Sequence, residues 1–317
     1  MAQQGNNKRQ KRKMRARRQA EEAARQKALE EAAAKERKQQ TIIGAIVVAV
    51  IVILVAIIAI VSFRSIHKAN VAKKVTSNQT YSALQKVKVK PSAADDKGGI
   101  PLSKNGFGKK IAKAPTVEIY MDPLCPGCGS LHRQIDSDLT KMVDAGQINL
   151  VYHPMNFLDP DSSDQYSTRA SGAILYIASH DPNVDHLLGF VTNLYAEDFQ
   201  PSETNYQPTS NDKIAQQAIA AGVSRSVANK AFGGQYNPWL KAVYKYTLKR
   251  PELLNSEGSL STPAVTVNGK LMDMSELAQL GLTQRQALLK ELGIKESQLG
   301  KKGVMPKIGT GAPESLD

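Results

Sequence analysis

Apolar and polar positions fall into three kinds of pattern along the chain, and each predicts a different kind of element. Residues 42–61 are apolar without a charged or strongly polar interruption. A helix rising about 1.5 Å per residue would carry that run across a hydrocarbon core about 30 Å thick. Thr116-Val117-Glu118-Ile119-Tyr120-Met121 alternates instead, which suits a strand with one face buried. Beyond it, Leu131, Ile135, Leu139, Met142 and Val143 recur at helical spacing, with Pro126 suited to a first helical position and Gly146 to the stop. Residues 148–153 read as a second strand, so strand, helix and strand form a βαβ unit with a parallel pair. The long stretch that follows is helix-compatible over 168–179, 186–196, 212–221 and 226–231, which predicts an inserted helical subdomain over about residues 160–255. Asn268-Gly269 then marks a tight turn between Ala264-Val265-Thr266-Val267 and Lys270-Leu271-Met272, a hairpin. Thr283 and Gln286 at capping-box spacing, with Gly293 as a stop, predict a last helix.

Charge changes the reading of everything before residue 116. The chain has 317 residues and a formal net charge of +13, a balance that would point to nucleic acid if it were spread over a folded surface. It is not. Residues 1–40 hold thirteen Lys/Arg against five Glu, and residues 64–115 hold twelve against two Asp, whereas residues 116–317 hold seventeen against twenty-two acidic groups. The basic excess thus flanks the apolar run, which implies attraction to a membrane lipid surface and no nucleic-acid partner. A signal-peptide core is shorter and does not follow forty residues of charged tail, so an uncleaved anchor is expected. The basic block at residues 8–18 favours an internal N-terminus. The expected layout is a basic cytoplasmic tail (1–40), a transmembrane helix (41–63), an extracytoplasmic linker without a convincing period (64–97), a globular domain (98–299) and a flexible tail (300–317).

Only two cysteines exist, and Cys125-Pro126-Gly127-Cys128 places them three positions apart where a strand hands over to a helix. Thiol-disulfide exchange needs a thiolate attacker and a second thiol close enough to resolve the mixed disulfide. At the positive end of a helix dipole, near unpaired N–H groups, Cys125 is the nucleophile expected; Cys128, one turn inside, is the resolving thiol. Such surroundings lower a cysteine pKa from about 8.5 to between about 3.5 and 7.5. A structural zinc site would need further ligands, and there is no second cysteine pair and no His-x3-5-His, so no metal is expected. A purely structural disulfide here would close a very short loop and stabilise weakly. His132 reads as a surface or packing residue of the active helix, and His67, His153, His180 and His186 lie on separate elements without ligand spacing. Ser261-Thr262-Pro263 precedes the late strand; on its own a proline there is ordinary turn punctuation.

Three segments together resemble the DsbA-like branch of the thioredoxin superfamily: Asp122-Pro123-Leu124-Cys125-Pro126-Gly127-Cys128, Tyr152-His153-Pro154-Met155-Asn156-Phe157, and Thr262-Pro263-Ala264-Val265-Thr266-Val267-Asn268-Gly269. The resemblance covers about residues 98–299 and is particularly to membrane-tethered extracytoplasmic members. It implies an α/β thioredoxin-like fold with an inserted helical subdomain, preceded here by one N-terminal transmembrane helix. It also implies that Pro263 resembles the family's cis-proline, facing the dithiol and presenting the backbone of Thr262 to substrate, and that Pro126 and Gly127 tune the redox pair. The family's strongest oxidants carry His where Gly127 stands. A buried acid assists proton transfer in many relatives, and Glu118 does not fall at the matching position. The function so implied is oxidation of cysteine pairs in reduced or misoxidised secreted proteins, without an organic cofactor, with a membrane redox partner or small oxidant for recycling. The same residues could run as a reductase or isomerase, since direction depends on potential against the compartment. A non-catalytic tethered chaperone or binding domain, stapled by its cysteines, is the reading from another class.

Overall fold

The computed structural model of the chain describes residues 76–255 and 257–313. The predicted tail and membrane span at residues 1–40 and 41–63 lie outside them, and no helix among the described residues is long and apolar enough to cross a membrane. The first element, α1 (Ser77–Gln85), falls where the sequence predicts a linker. Thr76 caps it with a reciprocal capping box to Gln79, and Leu84 is buried. Its period is hard to see because so few of its positions face the core.

A short antiparallel hairpin, β1 (Ile100–Ser103) and β2 (Gly106–Phe107), precedes the βαβ unit formed by β3 (Thr116–Met121), α2 (Pro126–Ala145) and β4 (Asn149–Pro154). The inserted helices are α3 (Tyr166–His180), α4 (Val184–Leu194), α5 (Asn211–Ala220), α6 (Arg225–Lys230) and α7 (Asn237–Thr247). The last of these, with Pro238 just after its start, lies within the predicted helical insertion but outside the four stretches singled out there. The chain returns through β5 (Ala264–Val267), turns at Asn268-Gly269 with both residues at positive φ, and pairs back as β6 (Lys270–Leu271). Two helices close the order, α8 (Met274–Leu280) and α9 (Gln284–Leu292).

The sheet runs β2-β1-β4-β3-β5-β6. β3 and β4 are parallel, with Ile119 opposite Tyr152, and β5 lies antiparallel on the other side of β3, with Tyr120 opposite Ala264. This register brings the start of β5, and so Pro263, beside the end of β3 that leads into the dithiol. Val117, Ile119 and Met121 join Leu131, Ile135, Leu139 and Met142 of α2 in the main core. Burying each such side chain contributes roughly 1.5–3 kcal/mol. α2 stops at Gly146, whose φ of 73° is the left-handed conformation a non-glycine residue rarely adopts.

Residues 300–313, expected as a flexible tail, are tied to the body. The Gln147 amide donates to the carbonyls of Gln298 and Val304 (both 2.9 Å) and accepts from Gly300 N–H (3.0 Å). Asn268 donates to Gly309 O (3.0 Å) and Gly311 O (2.6 Å). The Lys-, Gly- and Pro-rich composition hides this because every partner is distant in sequence.

Candidate active site

The end of β3 hands over to α2 through Asp122-Pro123-Leu124, and Cys125 occupies the N-cap of that helix. Pro126 at the first helical position has no N–H to leave unpaired. Cys125 Sγ accepts the Cys128 backbone N–H at 3.4 Å, so the sulfur replaces the oxygen that usually caps a helix. Both cysteines are free thiols. Cys128 is fully buried, whereas Cys125 keeps 7% of its surface. Of the two cysteines, Cys125 is therefore the one nearer the surface.

From β5, the residue before the proline faces this sulfur. The Thr262–Pro263 peptide is cis. Thr262 Oγ1 donates to Cys125 Sγ at 3.5 Å, and the Cys125 thiol lies 3.5 Å from Thr262 O. A side chain at Gly127 would begin 3.1 Å from Pro263 Cδ. All six residues singled out from sequence, Cys125, Pro126, Gly127, Cys128, Thr262 and Pro263, thus converge on one spot.

The two sulfurs are treated in opposite ways. Cys125 is held below the ordinary thiol range, chiefly by the hydrogen bond from the Cys128 thiol, with the Thr262 hydroxyl and the Cys128 N–H adding to it against the cost of burial. Cys128 is pushed well above that range, first by burial and then by its neighbour.

Asp122, three residues before Cys125, has no role in the sequence reading, and in the structure it is a fully buried acid beside the dithiol. Its carboxylate accepts from Leu124 N–H (2.9 Å), Leu158 N–H (3.1 Å) and Ser167 Oγ (2.6 Å). Burial outweighs these three neutral donors and raises its pKa to about 7. Its charge acts on both sulfurs. The bond to Leu124 is an Asx turn, a local signal that Asp-Pro before the first cysteine could have given. Ser167 comes from the insertion and leaves no such trace. Glu118 points elsewhere, toward His153 and Tyr120. His132 is a buried packing residue, bonded to Asp136 (2.8 Å) and stacked on Tyr195 (4.2 Å). Among the described residues no cluster of three or more His, Cys, Asp or Glu is arranged to hold a metal.

A parallel β3–β4 pair, an antiparallel β5 opening at a cis-proline, and a dithiol at the start of α2 define a thioredoxin-type domain. The chain belongs to the thioredoxin family, whose model, described as Thioredoxin, matches residues 107–282. It is similar to the serine/threonine-protein kinase PknE of Mycobacterium tuberculosis, 37% identical over 117 residues, which are 36% of this chain and 20% of that protein. The chain thus spans about a fifth of the length of the curated relatives it matches. Among solved structures it is similar to DsbA from Mycobacterium tuberculosis, with 24% identity and a TM-score of 0.45 over 58% of this chain and 90% of that one. It is also similar to MdbA, a thiol-disulfide oxidoreductase from Corynebacterium diphtheriae, with 24% identity and a TM-score of 0.46 over 63% of this chain and 98% of that one.

Proposed function

We propose that this chain is a DsbA-like thiol-disulfide oxidoreductase that oxidises cysteine pairs in secreted or surface proteins. The observation that carries the reading is the asymmetry of the two sulfurs, one stabilised as a thiolate on the less deeply buried residue, the other on a fully buried residue and held protonated. With Cys125 and Cys128 joined, a client thiolate attacks Cys125 Sγ, forms a mixed disulfide and breaks the Cys125–Cys128 bond. Cys128 leaves with the electron pair and takes up a proton, for which Asp122 is the buried acid at hand. A second client thiolate then attacks the client sulfur of the mixed disulfide and expels Cys125 as a thiolate. The client has lost two electrons and the dithiol has gained them. Pro263 and the Thr262 backbone border Cys125 and suit an extended client segment.

The hydrogen bonds to Cys125 Sγ favour the reduced form, and a stabilised reduced form makes a strong oxidant. That argument supports the oxidase direction over reductase or isomerase. The apolar run at residues 42–61 and its basic flanks support a single-pass anchor with the domain outside the cytoplasm. There a membrane redox partner or a small oxidant would restore the disulfide. Cys125→Ser should abolish exchange with a reduced client while leaving the fold intact; retained exchange would overturn the reading. A dithiol potential near about −120 mV supports the oxidase, and one near about −270 mV the reductase.

A further inference from the structure

The insertion reaches back to the dithiol through one side chain. Beyond α4, the chain turns at Ala196 and brings in Gln200, whose N–H bonds to Ala196 O at 2.9 Å. The Gln200 Nε2 donates to Cys125 O at 2.9 Å and to Pro123 O at 3.2 Å. Its Oε1 accepts from Arg133 Nη1 at 3.2 Å, and the same guanidinium nitrogen donates to Tyr195 O at 2.9 Å. Only one orientation of the amide satisfies this set, since two carbonyls need a donor and a guanidinium needs an acceptor. The opposite face of the contact is Gly129: a Cβ there would sit 1.9 Å from Gln200 Oε1 and 2.7 Å from Arg133 Nη1. Glycine at the fourth position of α2 is therefore what lets the amide approach.

We propose that Gln200 is a positioning residue for thiol exchange: by holding the Cys125 and Pro123 carbonyls it fixes the helix-cap geometry that aims the Cys128 N–H at Cys125 Sγ. This rests on the thiol-exchange reading above. The Cys125–Pro126 peptide has no N–H of its own to anchor it, and Cys125 O otherwise accepts only the helical bond from Gly129 N–H, at 3.1 Å. Rotation of that peptide would carry the sulfur off the Cys128 N–H. The inserted subdomain is then part of the redox centre as well as its cover.

The test is the pH profile of iodoacetamide alkylation of reduced Cys125, read together with the dithiol's equilibrium against glutathione. Gln200→Leu keeps the volume and removes the donor. Gln200→Glu keeps the acceptor for Arg133 but turns a carboxylate oxygen toward two carbonyls. Gly129→Ala displaces the flexible Gln200 side chain without altering it. Each should move the alkylation midpoint toward that of an ordinary thiol, by about one pH unit for Gln200→Leu, which lowers the rate below the midpoint about tenfold. Gln200→Glu should move it further, and each variant's dithiol should be less oxidising than the wild type's. Folded Gln200→Leu and Gly129→Ala proteins with the wild-type midpoint and equilibrium would overturn the proposal. Should both fail to fold, Arg133→Met, on the exposed side of α2, removes the group that orients the amide and is read the same way. A wild-type Cys125 that titrates near 8.5 and exchanges nothing would instead sink the functional reading itself.

Discussion

Two carboxylates on one strand connection, four residues apart, are driven in opposite directions. Asp122 is fully buried among neutral donors, two backbone N–H groups and the Ser167 hydroxyl, and its pKa rises to about 7. Glu118, with 23% of its side chain exposed, bonds to His153 Nε2 and Tyr120 OH, both at 3.0 Å, and Arg250 donates to that same Tyr120 OH at 2.7 Å. Burial opposes its ionisation too, but the His153 bond and charge, then Tyr120 and Arg250, outweigh it and lower its pKa to about 2. Three good hydrogen bonds from neutral groups do not offset full desolvation; hydrogen bonds joined by Coulomb attraction in a half-open site do. The connection therefore carries an acid poised near neutrality beside the sulfurs and, four residues earlier within β3, an ion bonded to Tyr120 and His153, whose stacked rings lie 4.0 Å apart.

Removing the poised acid should give the largest effect. Asp122 keeps its proton in the folded state up to about pH 7 but loses it in the unfolded chain near 3.8. Between those values the folded state binds more protons, so stability falls as pH rises, by on the order of 4 kcal/mol, and levels off above pH 7. Asp122→Asn cannot titrate. Denaturant unfolding of the reduced proteins from pH 4 to pH 8 should show the variant gaining on the wild type by that amount, and parallel curves would show that Asp122 is not held as described.

The locked ion should behave in the mirror sense. A carboxylate with a depressed folded pKa adds stability that is present above about pH 4.5 and lost as pH falls through about 2. Glu118→Gln keeps a hydrogen-bonding shape for His153 and Tyr120 but leaves Arg250 with less negative charge nearby. Allowing for the exposed part of the site, the cost at pH 7 should be about 2 kcal/mol, shrinking toward pH 2. The alkylation midpoint of Cys125 should not move; if it did, the two regions would not be electrically separate.

How much of this was legible follows from which partners are local. The strands Thr116–Met121 and Ala264–Val267 were read at their observed bounds, because alternation is written into the residues themselves. The N-cap cysteine was readable from Pro126 and the spacing of Leu131 and Ile135. What was missed is held by distant side chains: α1 docks through Tyr81 against Tyr246 (ring centroids 5.2 Å apart), and residues 300–313 through Gln147 and Asn268. Within the site, Ser167 and Gln200 come from the insertion, where nothing in the local sequence marks a serine or glutamine as facing a sulfur or its carbonyl. The burial that perturbs Asp122 is likewise a sum over Leu158, α3 and β3 that no window of sequence contains.

The smallest effect sharpens the comparison most, because it alters one neutral donor and nothing else. Ser167 Oγ lies 2.6 Å from Asp122 Oδ1 and lowers that acid's pKa, a contribution second only to burial. Ser167→Ala removes a bond that serves the ionised carboxylate better than the neutral acid, worth about 1 kcal/mol net. The sign follows directly: the protonated form becomes relatively more favourable, and the titration of Asp122 moves above 7. The infrared band of the protonated carboxyl should persist to higher pH in the variant, and the decline of stability from pH 4 should extend correspondingly further before it levels. A midpoint that stayed or fell would mean that the hydroxyl donates elsewhere and that backbone N–H groups alone set the acid's balance against burial.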